Sequence, residues 1–255
     1  IILLPVNHSV GNNWPAWRGA DATGSITGKN YPSELNLNKN LIWKSPLPGK
    51  GCSTPIVWED SILLTCPVNG KDTVLSFSMS GSKKWKTEIG PEQKGRHLNG
   101  SGSNPSVTTD GKNLYALFKS GNLACLDFNG KILWQKNLSG YGKDTLYWDF
   151  GTSPILSSKH LIVALMRKGN SWLLAFDPQD GEVVWKKERN YKTPPECDHS
   201  YATPTLIKHN GEEAILVWGA ERLSVHSAKN GDMYWLSEGF NPKQKKNWVV
   251  VGSQV

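Results

Sequence analysis

Two markers recur along this chain with one period, and together they leave few folds open. The first is a turn that ends in tryptophan: SMSGSKKW (78–85), DFNGKILW (127–134), DPQDGEVVW (177–185) and SAKNGDMYW (227–235). In every copy a glycine stands four residues before the tryptophan: Gly81 and Trp85, Gly130 and Trp134, Gly181 and Trp185, Gly231 and Trp235. The tryptophans are 49, 51 and 50 residues apart. The second marker is a small or polar residue followed by proline and an apolar or β-branched run. It occurs as Thr54-Pro55, Asn104-Pro105, Ser153-Pro154 and Thr203-Pro204, with prolines 50, 49 and 50 apart. Two independent signals in one phase mark a repeat architecture.

Each period divides into four short apolar segments bounded by turn residues. They are 53–58, 61–66, 73–78 and 82–88; then 104–108, 112–118, 122–127 and 131–137; then 153–157, 160–166, 172–177 and 182–188; then 203–208, 213–218, 222–227 and 232–237. Proline at the start of a first strand is where a ladder tolerates a missing donor. Glycine in the last turn supplies the positive φ of a hairpin. No helical period competes. The expected fold is all-β, a β-propeller of four-stranded antiparallel blades at about 53–88, 104–137, 153–188 and 203–237.

The flanks predict partial blades at both ends. NLIWKSPL (40–47) reads as a lone fourth strand with Trp43 in the tryptophan position. NWVVVGSQV (247–255) reads as a lone first strand, with Ser253-Gln254 where the small-proline pair is due. Residues 14–255 are therefore expected to form an incomplete propeller, part of a larger ring of seven or eight blades. Residues 1–13, with the apolar start IILLPV, read as a signal-peptide remnant or an N-terminal arm. The expected location is accordingly periplasmic or extracellular. No stretch is long and apolar enough to span a bilayer as a helix.

Composition excludes several classes. The chain has 255 residues, enough for a sizeable core, and 12 tryptophans. The formal charge is +7, but the lysines are scattered over strands and turns and read as solvated faces. Basic residues with interleaved aromatics (Lys243, Lys245, Lys246, Trp248) are too few to predict nucleic-acid binding. Cys52, Cys66, Cys125 and Cys197 show no metal-ligand spacing. Cys52 and Cys66 flank one hairpin, so a disulfide is one reading; two buried free thiols is the favoured one.

The pattern Ala175-x-Asp177-x-x-x-Gly181-x-x-x-Trp185 resembles the tryptophan-docking motif of pyrroloquinoline quinone (PQQ)-like propeller repeats. WPAWRGADATGSI (14–26) and PLPGKGCSTPIVW (46–58) are similar to segments of a bacterial secreted subfamily of these repeats. The resemblance covers nearly everything from Trp14 onward. The family includes quinoprotein dehydrogenases, the outer-membrane assembly lipoprotein and members without a known activity, so the fold does not settle function.

In a propeller the first strand lies innermost, and the loops that enter it surround the channel mouth. These are KGRHLNGSGS (94–103), GYGKDTLYWDFGT (140–152), PPECDHSYA (194–202) and NPKQKKNW (241–248). They are expected to bring Arg96, His97, Asn99, Trp148, Asp149, Asp198 and His199 to one face as a candidate ligand-binding surface. No catalytic residue and no metal ligand is assigned. A quinoprotein dehydrogenase, as the resemblance implies, needs PQQ with a Ca²⁺ site of Glu, Asn and Asp, a base Asp, and often an adjacent Cys-Cys pair. No two cysteines here are adjacent. The favoured expectation is a non-enzymatic binding or scaffold protein without a cofactor, holding a protein, glycan or small molecule at the channel mouth. The alternative is a PQQ-dependent oxidoreductase of alcohols or sugars. Trp134→Ala is expected to cost about 3–5 kcal/mol, as for a buried aromatic truncation, and Asp149→Asn little.

Overall fold

The structure is a computed structural model, and it describes residues 13–28, 32–34 and 36–253. The expected N-terminal signal remnant or arm lies, but for Asn13, outside the described residues. Among the described residues, sixteen strands form four antiparallel sheets, each in sequence order. Blade one holds β1 (Ile56–Trp58), β2 (Ser61–Val68), β3 (Lys71–Ser78) and β4 (Lys83–Pro91). Blade two holds β5 (Thr108–Thr109), β6 (Asn113–Leu117), β7 (Asn122–Asp127) and β8 (Ile132–Asn137). Blade three holds β9 (Ile155–Leu156), β10 (Leu161–Leu165), β11 (Trp172–Phe176) and β12 (Val183–Glu188). Blade four holds β13 (Thr205–His209), β14 (Glu212–Gly219), β15 (Arg222–Ser227) and β16 (Met233–Ser237).

The two middle strands of the blades are largely buried because blades pack face to face. SILLTCPV of β2 is buried at seven of its eight positions. The core therefore lies between blades. One layer joins Tyr115, Leu117, Leu123 and Cys125 of blade two to Leu161, Val163, Leu174 and Phe176 of blade three. Asn69-Gly70 and Asn210-Gly211 make two-residue turns with φ of 50° and 76°, and 50° and 85°. Positive φ at both residues matches the twist of the strands they join.

The first strands are shorter than expected, because the residues before each proline do something else. The Thr54 amide donates to Ser106 Oγ (2.9 Å), Ser106 to Ser153 Oγ (2.9 Å), Ser153 to Thr203 Oγ1 (3.0 Å) and Thr203 to Ser253 Oγ (3.0 Å). A chain of hydroxyls thus links each blade to the next around the inner wall. In blade two the residue before proline is Asn104, which has no hydroxyl, and Ser106 takes its place.

A second set of links runs around the outside. Trp43 Nε1 donates to Met79 O (2.8 Å), Trp85 to Phe128 O (2.9 Å), Trp134 to Pro178 O (2.9 Å) and Trp185 to Ala228 O (3.4 Å). Each indole lies over the turn glycine of the following blade. A Cβ placed on Gly81, Gly130, Gly181 or Gly231 would come within 2.4, 2.7, 2.6 and 2.6 Å of the ring. These glycines serve twice, for positive φ and for close approach. Residues 40–47 form no strand, and 247–253 contribute only a parallel bridge, Ser200 to Val250. No ladder partner adjoins residues 40–47 among the described residues. Trp43 and Ser253 nevertheless make the same inter-blade contacts as their counterparts in the blades.

Trp14 pairs with Val57 across the free edge of β1 (2.7 and 3.0 Å), and Pro15 O accepts from the Thr109 amide. The opening segment so covers an inner strand edge that would otherwise be unpaired. All four cysteines are free, and Cys52 is exposed rather than buried. The β1–β2 register pairs Ile56 with Leu63. Carried upstream, it sets Cys66 opposite Ser53, and neighbouring side chains in an extended chain point to opposite faces.

Asp72 of β3 ties blade one to blade two. Its Oδ2 accepts from Ser120 Oγ and Asn122 Nδ2, while Oδ1 is buried without a partner. Burial pushes its carboxyl up to about 6. Folded Asp72 holds its proton more tightly than the unfolded chain does, so stability should fall as pH rises from about 4 through about 6. Asp72→Asn is expected to remove that slope and to raise unfolding free energy at pH 7 by about 1–2 kcal/mol. Urea unfolding of both proteins at pH 4.5 and 7, one below and one above the raised Asp72 value of about 6, checks this; a parallel slope in the variant would exclude Asp72 as its source.

Candidate functional site

Alternate connections of an antiparallel blade leave at opposite ends. The loops between blades therefore share one end with the β2–β3, β6–β7, β10–β11 and β14–β15 connections. The loop before blade three is the hub of that end. Asp149, with φ of 71°, turns its carboxylate into the protein, where it is 1% exposed. It accepts from the Arg96 amide (2.8 and 2.9 Å), the His97 amide (3.2 Å) and the buried Lys119 ammonium. Lys119 also donates to Lys94 O (2.8 Å) and lies 3.9 Å from the Asp144 carboxylate. Burial pushes the Asp144 carboxyl up, with Lys119, Arg96 and Arg167 pulling the other way. The Arg96 guanidinium reaches Asp144 O and Leu146 O.

Three predicted residues thus meet in one cluster, Arg96, His97 and Asp149, and Trp148 joins through its ring. The His97 and Trp148 ring centroids are 3.9 Å apart, and Tyr147 stands 5.1 Å from Trp148. Tyr147 and Trp148 remain 56% and 50% exposed, although buried Leu146 and Asp149 flank them on either side. Asn99 is exposed, donates its amide to His97 Nδ1 and accepts at its carbonyl from Cys52 Sγ. His199 is buried and meets the same loop through Thr145 Oγ1 (3.1 Å), while the Trp148 amide donates to the Tyr201 hydroxyl. Asp198 lies 3.8 Å from His199, with one buried oxygen lacking a hydrogen-bond partner.

The seven residues share an end of the molecule but not a role. Asp149 and the Arg96 guanidinium are committed to other protein groups, and Trp148 is the group held outward. Asp149→Asn, expected from sequence to cost little, is expected from this burial and these partners to be costly. Sequence reading missed Lys119, Asp144 and Tyr147. Lys119 is paired across 30 positions, so no local pattern announces it.

A family model described as outer membrane protein assembly factor BamB matches residues 33–149 and 71–249, and so most of the chain. The chain belongs to this family of PQQ-like repeat propellers. No curated protein matches the sequence. Among solved structures, quinohemoprotein alcohol dehydrogenase from Comamonas testosteroni is similar at 14% identity and a TM-score of 0.65, over 89% of this chain and 41% of that one. Quinohemoprotein alcohol dehydrogenase ADHIIG from Pseudomonas putida is similar at 14% identity and 0.52, over 77% and 35%. BamB from Moraxella catarrhalis is similar at 16% identity and 0.49, over 75% and 50%. The chain spans half or less of these structures, and at such identities the likeness to the two dehydrogenases shows the propeller fold alone.

Three carboxylates at this end of the propeller are already engaged by protein groups. Asp144 and Asp149 face the Lys119 ammonium, which repels a divalent cation, and the Glu221 carboxylate is taken by Asn241. Among the described residues no three His, Cys, Asp or Glu side chains converge as metal ligands. No described helix is long and apolar enough to cross a membrane.

Proposed function

We propose that this chain is a non-enzymatic, exported binding module that works without PQQ and holds a polypeptide partner at the channel-mouth end. The observation that carries the reading is the pinned aromatic pair. Tyr147 and Trp148 stand half-exposed on a loop whose neighbours Leu146 and Asp149 are buried. Rigid, exposed aromatic side chains lose little entropy on binding and are the usual anchors of protein interfaces. The family description, an assembly factor for outer membrane proteins, supports a polypeptide rather than a metabolite and a periplasmic setting.

A photo-crosslinking residue at position 148, tested in cells against the same residue at Lys131 on the opposite end, checks the reading. Position 148 alone should yield a discrete adduct with an envelope protein. Equal adducts at both positions, or none at 148, would sink it. Adding PQQ and Ca²⁺ should leave no bound quinone absorbance; a tight complex would restore the oxidoreductase alternative.

A further inference from the structure

The lysines that look scattered along the chain are sorted by the topology. On the connections at the channel-mouth end and in the described segment after β16, eight basic residues are exposed, among them Lys94, Arg96, Lys143, Lys168 and Lys192, against four unburied acids, Glu92, Glu196, Asp198 and Glu238. On the connections at the other end the balance reverses: four lysines face seven acids, including Asp60, Asp177, Glu182 and Asp232. The acids there are partly neutralised by strand lysines, in the pairs Lys84–Asp60, Lys136–Glu182 and Lys187–Asp232. Lys94, Lys143, Lys168 and Lys192 have no ion-pair partner among the described residues.

We infer that the channel-mouth end docks an acidic polypeptide segment, with Tyr147 and Trp148 as apolar anchors and the unpaired lysines of the same end as its electrostatic guide. The inference rests on the protein-binding reading of this end and adds the chemistry of the partner. An excess of one sign of charge at a binding face sets the partner and the encounter rate more than the final affinity. Glu92, Glu196, Asp198 and Glu238 interrupt the basic rim. A nucleic acid backbone needs a continuous positive track, whereas a polypeptide of mixed side chains with an excess of acid tolerates the interruptions.

Selection of short displayed peptides against the full chain, from libraries biased to Asp and Glu, to neutral residues, and to Lys and Arg, tests this. The acidic library should be enriched, with affinity that falls as salt rises. Triple charge reversal Lys143→Glu, Lys168→Glu, Lys192→Glu should weaken the selected peptides at least about tenfold, on the order of 0.5 kcal/mol or more for each rim charge. The matched reversal Lys112→Glu, Lys131→Glu, Lys159→Glu at the other end should leave binding within about twofold. Equal enrichment of neutral or basic peptides, or equal loss in the control triple, overturns the inference. Neutral peptides that bind and are lost in Trp148→Ala would keep the protein-binding reading while removing the acidic partner. No peptide from any library would remove both. Vesicles containing phosphatidylglycerol, or single-stranded RNA, bound more tightly than any peptide and released by the first triple reversal would also overturn it, by assigning the basic end to a lipid surface or a nucleic acid.

Discussion

Trp134→Ala is expected to lower the unfolding free energy by about 3–5 kcal/mol, the cost of truncating a buried aromatic residue where the surroundings cannot close. Trp134 is 9% exposed, donates to Pro178 O, and belongs to the apolar layer between blades two and three. Its removal takes contacts from both blades and leaves Pro178 O without that donor. The surroundings are held by two sheets that cannot move together without breaking the hydroxyl links on the inner wall. Gly181→Ala attacks the same contact from the other side and should cost more than about 1 kcal/mol, because its φ is +72° and a Cβ would meet the indole. Trp235, in the same repeat position but 39% exposed, is the internal control. Its truncation should stay within about 1 kcal/mol. Urea unfolding followed by circular dichroism would compare the three. Equal losses at Trp134 and Trp235 would mean that the tryptophans stabilise their own hairpins rather than the joint between blades.

Asp149→Ala is expected to cost about 3–5 kcal/mol, since it leaves the Lys119 ammonium buried without its main partner. Asp149→Asn should cost about 2 kcal/mol or more. The amide oxygen still accepts from one backbone N–H, but the amide nitrogen faces donors and the charge opposite Lys119 is gone. Lys119→Met combined with Asp149→Asn should recover part of the loss, with a coupling energy on the order of 1–3 kcal/mol. The loop 94–101 is held by the Arg96 and His97 amides on this carboxylate, so limited proteolysis should cut there first in Asp149→Asn. A loss under about 0.5 kcal/mol, with no new cleavage, would show that the loops stand without the carboxylate.

The blades were legible in the sequence because what makes them is local. A glycine at positive φ and an apolar run on each side define a hairpin without outside help, and copying that unit at a constant spacing defines the repeat. The small-proline pair was legible as a strand start but not as a latch. The hydroxyl before proline finds its donor about fifty residues away, and in blade two Ser106 replaces it. The candidate site was legible only as a set of loops. That Asp149 points inward and Trp148 outward depends on a lysine in another connection. The reading of Cys52 as buried failed because the first strand begins after Pro55, too late to carry Cys52 into the ladder.

By itself the sequence determined an all-β chain of four repeated four-stranded blades, and the end at which the long loops lie. Only the tertiary structure decided which polar groups are keystones, which aromatic groups face solvent, and how the charge divides between the ends. The physical reason is the same in each case. Strand pairing is set by neighbours in sequence, whereas burial, ion pairing and net surface charge are set by what the next blade brings alongside.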